Sequence, residues 1–230
     1  MKKGKLIVFD GNDGSGKQTQ AKLQIEKLKA LGIETETLDF PRYYHNFFGK
    51  FLGECMTNQH GDWASTDPCL ASMVYANDRL ESSPMIQKWL DEGKFVLLDR
   101  FVSANQIHQG GKISDPEKRE EFLKWLDTLE HDIFKIPRPD LVIYLDVPVE
   151  ISLENLKKTG KKLYTGDRED AVEGNREYLE NSRAAGHELV FKNQNWRMID
   201  CMEDGQMLSK EVISEKIDHL LIEEGLLVIA

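Results

Sequence analysis

Residues 11–17 read Gly-Asn-Asp-Gly-Ser-Gly-Lys, and that spacing suits one kind of chemistry. Three glycines let a backbone wrap closely around a group with its N–H groups turned inward, and the lysine adds a compact positive charge. The group that fits is a phosphate chain. Such a loop is credible only between a buried strand and a helix, whose N-terminal dipole favours negative charge. Leu6-Ile7-Val8-Phe9 supplies an apolar run of strand length. Residues 17–31 put Ala21, Ile25 and Leu28 on one helical face, and Gly32 follows as a stop. Gly11, Asn12, Asp13, Gly14, Ser15, Gly16, Lys17, Gln18 and Thr19 are therefore the candidate phosphate site, with Lys17 reaching toward β- and γ-phosphates.

One position departs from the usual pattern. Ser or Thr normally follows the lysine and gives its hydroxyl to Mg²⁺; here Gln18 does, and Thr19 stands about 100° further around the helix. Three readings remain open: a Gln18 amide oxygen on the metal, Mg²⁺ held by phosphates, waters and a nearby carboxylate, or weaker catalysis.

Further cations stand where a second anion would bind. Asp99-Arg100-Phe101 directly follows the apolar run Phe95-Val96-Leu97-Leu98. In an open parallel sheet ligands bind beyond the carboxyl ends of the strands, so Asp99 is placed to help a metal or hold another side chain. Arg100 is placed to fork onto a phosphate. Asp39-Phe40-Pro41-Arg42-Tyr43 follows a second strand in the same way. Arg79 lies on a helix among Leu70, Met73, Val74 and Leu80 and reads as a half-buried arginine or a ligand group.

The elements that must position these groups alternate. Strands are expected at 6–9, 33–38, 95–98, 141–145 and 196–201. Helices are expected from Pro68 after a capping Asp67, again from Pro84 after Ser83, from Pro116 after Asp115, over 170–185, and after Ser209. Apolar strands alternating with helices imply a parallel sheet covered on both faces. The tail Leu226 to Ile229 reads as a docked terminus.

The chain has 230 residues, 40 of them acidic and 30 basic, a net charge of −10. That balance argues against nucleic-acid polymers as partners. No apolar stretch approaches the ~18 residues of a membrane span. Cys55, Cys69 and Cys201 form no CxxC pair and read as reduced, mostly buried thiols, which points to a cytoplasmic protein.

Taken together, Asp13-Gly14-Ser15-Gly16-Lys17, Phe40-Pro41-Arg42, Tyr75 to Arg79, Asp99 to Ser103, Asn105, His108-Gln109-Gly110, Pro139-Asp140-Leu141 and Trp196 to Cys201 resemble the thymidylate kinases. These belong to the P-loop nucleoside monophosphate kinase superfamily. The resemblance runs over nearly the whole chain. It implies a three-layer α/β P-loop NTPase fold in a single domain over 1–230, with a five-stranded parallel sheet, helices on both faces and a mobile lid at about 157–170. The implied reaction is ATP + dTMP → ADP + dTDP with Mg²⁺, in a cytoplasmic homodimer.

Carried onto this sequence, the resemblance has Lys17 cradle the donor phosphates and Asp13 orient substrate and metal. Arg42 and Arg100 hold the dTMP phosphate. Arg79 faces the thymine carbonyl edge, and Tyr75 or Phe40 packs on the ring. Pro41, Asp99 and Ser103 join the acceptor site, and Asn105, His108 and Gln109 line the base and sugar pocket. His108 stands where the family often has an aromatic ring. Gln18 and Asp99 are the metal candidates.

Family members place a catalytic arginine in the phosphate loop or in the lid. The loop here has none, but Lys157, Lys158, Lys161, Lys162 and Arg168 put five cations in twelve residues, and Arg168 is the expected lid cation. Ala171 stands where some members carry the arginine. Adenine contacts are expected at roughly 202–206. Two other readings stay open: a P-loop kinase for another pyrimidine nucleotide or nucleoside, and a nucleotide-binding regulator without turnover.

Overall fold

The computed structural model describes residues 3–159 and 175–227. Most of the expected lid, Arg168 included, lies outside them.

Five parallel strands form one sheet: β1 (Lys5–Asp10), β2 (Thr35–Asp39), β3 (Phe95–Asp99), β4 (Leu141–Asp146) and β5 (Trp196–Asp200). Their spatial order is β2-β3-β1-β4-β5, so β1, carrying the glycine loop, is central. Every strand ends on an aspartate, and the carboxyl edge of the sheet is a row of acids.

Successive side chains on each strand face opposite layers. Leu6 and Val8 point into a core with Val96, Leu98, Val142 and Tyr144, while Ile7 and Phe9 share the other core with Leu97, Ile143 and Leu145. Burial on both faces is what made these strands read as unbroken apolar runs. The second core is closed by α1 (Lys17–Ala30) and α8 (Lys210–Glu223) through Ala21, Leu28, Ile213, Ile217 and Leu221. Leu226 and Leu227 dock there too.

The first core is closed by α3 (Pro68–Asp91), α4 (Val102–His108), α5 (Pro116–Asp127) and α7 (Arg176–Lys192). Helix α7 seats on β4 through Gly186: a Cβ there would stand 2.4 Å from a ring carbon of Tyr144. A π-helical turn, Thr128–Ile133, follows α5 and delivers Glu130 to the interior.

The caps behave as their residue types dictate. Asp67 accepts from the N–H groups of Cys69 and Leu70, Asp115 from Glu117 and Lys118, and Ser209 from Val212. The helix start expected at Ser83-Pro84 is not one: Pro84 sits inside α3, which runs unbroken for 24 residues. Proline removes one intrahelical donor, but buried Ser82, Ser83, Ile86 and Leu90 keep this stretch packed on the sheet, and packing outweighs the break.

Helices α2 (Phe47–Met56), α4 and α6 (Val149–Thr159), and the hairpin β6 (Met202–Glu203) with β7 (Gln206–Met207), were not expected from sequence. The polar helix expected over 170–185 is α7, described from Arg176 and extending to Lys192.

Candidate active site

The loop between β1 and α1 closes on itself. Gly14 and Gly16 have φ of 81° and 91°, a left-handed backbone that a side chain would strain. Asn155 of α6 donates to the Gly14 carbonyl at 2.9 Å and so braces the loop. Lys17 folds back, donating to the carbonyls of Gly11 (2.9 Å) and Asn12 (2.8 Å), with Asp13 at 3.9 Å. Burial first, then the nearby Arg100 charge, lower the Lys17 ammonium to about 8. Phosphate oxygens would replace those two carbonyls and raise it again. The Asn12 side chain turns away, donating to the Leu179 carbonyl.

One cleft of about 870 Å³ runs from this loop across the strand ends. At the loop end it is walled by residues 13–20, by Asn155, Leu156 and Lys158 of α6, and by Met207, Leu208, Lys210 and Ile213. At the other end stand Phe40, Pro41, Tyr75, Phe101, Asn105, His108 and Gln109, with Trp63, Lys112 and Tyr178. Residues 202–206, where adenine contacts are expected, are largely exposed and do not line the cleft; Met207, the last residue of the same hairpin, does.

Arg100 lies between the two ends. It has φ 65°, directly after β3, and its side chain is mostly buried. Nη2 donates to Asp13 Oδ1 at 2.5 Å, Nη1 lies 2.6 Å from His108 Nε2, and Asp10 Oδ1 is 3.8 Å away. Burial alone would lower its pKa, but Asp13, Asp10 and Asp99 drive it further up. Asp99 also faces the cleft; burial, only partly offset by Lys17 and Arg100, raises its carboxyl to about 6. Its Oδ1 is buried with no hydrogen-bond partner.

The Arg42 segment is held by Asp78 of α3. Asp78 accepts from the Arg42 backbone N–H (3.1 Å) and from Asn46 Nδ2 (2.7 Å). Helix α2 approaches so closely that a Cβ on Gly49 would lie 2.1 Å from the Arg42 carbonyl. Phe40, before a cis bond to Pro41, packs on Phe101 with ring centroids 5.5 Å apart. Arg42 itself does not line the cleft, although its Nη1 is buried without a hydrogen-bond partner.

Two expected ligand residues are placed elsewhere. Arg79 is 2% exposed and does not line the cleft. Its Nε and Nη2 fork onto Glu130 at 2.7 and 2.5 Å, and Nη1 donates to the Phe101 carbonyl at 3.2 Å. A buried guanidinium needs a full set of acceptors, and Glu130, 51 residues away, supplies them. Ser103 is also buried off the cleft, donating to Asp10 Oδ2 at 2.6 Å.

Gln18, Thr19, Tyr75, Asn105 and Gln109 do line the cleft, and Gln109 Oε1 is buried without a hydrogen-bond partner. Trp63 Nε1 donates to the Tyr75 hydroxyl at 3.3 Å. Sequence reading missed Asp10, Trp63, Lys112, Asn155 and Tyr178. Asp10 carried a usable signal, since it ends β1 as Asp99 ends β3, and Lys112 stands only three residues after Gln109; Asn155 and Tyr178 come from elements far away in the chain.

A phosphate loop on the central strand, an arginine at the neighbouring strand end and one cleft joining them define a P-loop kinase of the nucleoside monophosphate type. The model of the thymidylate kinase family matches residues 9–212. The chain belongs to the thymidylate kinase family, whose activity is ATP:dTMP phosphotransfer. A thymidylate kinase of Legionella pneumophila (strain Corby) is 29% identical over 221 residues, covering 95% of this chain and 98% of its own. One from Mycobacterium tuberculosis (strain ATCC 25618 / H37Rv) is 27% identical over 191 residues, 83% of this chain and 87% of its own. The solved thymidylate kinase of Candida albicans shares the fold, with a TM-score of 0.70 and 20% identity over 97% of this chain and 93% of that one.

Proposed function

We propose that the chain works as one P-loop kinase domain whose cleft seats ATP on the Gly11–Lys17 loop and dTMP among Phe40, Tyr75, Asn105 and Gln109. The observation that carries this reading is Arg100, poised between the two ends with Asp13 as its partner. Phosphoryl transfer needs mainly positioning and charge stabilisation, so two anions must be drawn together by fixed cations. Lys17 grips the donor phosphates, and Arg100 leaves Asp13 for the acceptor phosphate. Arg42 adds its unpartnered Nη1 to that phosphate after a side-chain turn. The acceptor oxygen is already anionic, so no general base is required. Walls from α6 and residues 207–213 exclude water from the donor, and Arg168 is the proposed lid cation.

Mg²⁺ fits this cleft as an ion carried on the ATP phosphates. Among the described residues no three acidic, His or Cys side chains are grouped to hold a metal. Asp99 nevertheless presents an orphan carboxylate oxygen to the cleft, and Gln18 an amide. The ion would neutralise charge on the transferring group; Asp99 and Gln18 would position its waters.

We also propose a homodimer and a cytoplasmic setting. Phe47 of α2 and Leu70 and Met73 of α3 are 70%, 62% and 42% exposed, an apolar surface suited to a second copy. All three cysteines are free, as a reducing compartment favours. No helix among the described residues is long and apolar enough to cross a membrane.

The test is ADP release from ATP and Mg²⁺ against dTMP, dUMP, UMP, dCMP, AMP, GMP and thymidine. Turnover confined to dTMP, with slower dUMP, is expected. Preference for another acceptor would overturn the roles of Asn105 and Gln109, and ATP binding without turnover would favour the regulator. Sedimentation of wild type and Leu70→Glu tests the dimer.

A further inference from the structure

We infer that His108, backed by Ser182, is a positioning residue for Arg100 rather than a ring that stacks on the substrate. The inference rests on the proposed role of Arg100 at the acceptor phosphate.

Arg100 has donors and no acceptor, so at 2.6 Å the Nε2 of His108 must be the acceptor. That fixes the ring as neutral with its hydrogen on Nδ1. Nδ1 lies 3.1 Å from Ser182 Oγ, which therefore accepts. Ser182 is fully buried on α7. The ring plane is set as well: Tyr178, one turn earlier on α7, lies nearly parallel, 9° off, with centroids 5.7 Å apart. Tautomer and tilt are both imposed by α7, and both serve the bond to Arg100.

Asp13 holds the other arm of the same guanidinium. When the acceptor phosphate draws Nη2 away, the bond at Nη1 is the one that can persist. His108 then acts as the pivot that keeps the fork aimed into the cleft. A phenylalanine here would keep the stack on Tyr178 but offer no acceptor. Glutamine would lose the stack, yet its Oε1 reaches about as far as Nε2.

The two roles for His108 therefore predict opposite orders. For positioning, His108→Phe raises KM for dTMP about tenfold, one charge-assisted hydrogen bond's worth, and leaves KM for ATP unchanged. His108→Gln recovers most of that loss, and Ser182→Ala raises KM for dTMP about threefold. For a stacking ring, His108→Phe is near wild type and His108→Gln is the poor enzyme, which would overturn the inference. Equal loss in both, with lowered thermal midpoints, would also overturn it as mere structural support. Ser182→Ala removes one oxygen and carries the test if a ring replacement fails to fold; no change in its KM for dTMP counts against the inference. Arg100→Ala separates the two levels. If it leaves KM for dTMP alone, the reading of the acceptor site fails; if it raises KM while Phe and Gln order the wrong way, only the His108 inference fails.

Discussion

Asp13 of the donor loop and Arg100 of the β3 end are joined at 2.5 Å, so the two halves of the cleft are tied together by one ion pair. The acceptor phosphate must compete with that carboxylate for the guanidinium. Removing the charge should favour the phosphate. Asp13→Asn is expected to tighten dTMP binding several-fold, on the order of 1 kcal/mol for a partly exposed pair, while lowering kcat because the loop loses its orienting carboxylate. Calorimetric titration of dTMP beside steady-state kcat checks both signs, and weaker dTMP binding would contradict the competition.

Asp99 at about 6 and Lys17 at about 8 set a pH window. Asp99 must be ionised to position a cation, so activity falls as pH drops through about 6. Lys17 must be protonated to receive phosphate, so activity falls as pH rises through about 8. Profiles of kcat/KM for ATP report the free enzyme and should show both limbs. Bound phosphate raises the lysine, so the alkaline limb in kcat should move up. Asp99→Asn should lose the acid limb; a limb that survives there belongs to the substrate.

Glu130 and Arg79 are both buried and bound to each other, and Arg79 also donates to the Phe101 carbonyl. Glu130→Ala leaves a buried guanidinium unpaired, at a cost of about 3–5 kcal/mol. Arg79→Met with Glu130→Leu should restore most of it. Urea midpoints of the single and double variants decide, and additive losses would show that the pair is not the cause.

Gly186 lets α7 touch the Tyr144 ring, and a Cβ would overlap two ring carbons at 2.4 and 2.5 Å and the hydroxyl oxygen at 2.7 Å. Gly186→Ala should cost about 1–3 kcal/mol by overpacking. Because α7 also carries Tyr178 and Ser182, KM for dTMP should rise with it. Paired with Tyr144→Ala the glycine replacement should become nearly harmless to packing, which unfolding curves can show.

How legible this was follows from range. The loop, its strand and its helix are contiguous, so local chemistry spelled them out. The apolar strands declared themselves because both faces are buried. Pro84 misled because a breaker is a local signal and α3 is held by packing along its length. Helix α2 hid behind two glycines and three phenylalanines, although Asn46 caps it. The Arg79 pairing was illegible for a deeper reason: its partner, Glu130, stands on a π-helical turn that no residue pattern announced. The Tyr178–His108 contact joins α4 to α7, 70 residues apart, and periodicity carries no information at that distance.

The α1–α8 pairing has a further consequence. Gln20 Nε2 donates to the Lys210 carbonyl, Gln24 to Ser214, and Lys27 meets Asp218 at 2.5 Å, each partner about 190 residues downstream. The helix that opens at the phosphate loop is thus laced, rung by rung, to one made about 190 residues later. On the ribosome the loop emerges first and waits. Its helix gains its strut only when about 190 further residues have been synthesised, and nascent chains should grip nucleotide weakly until then.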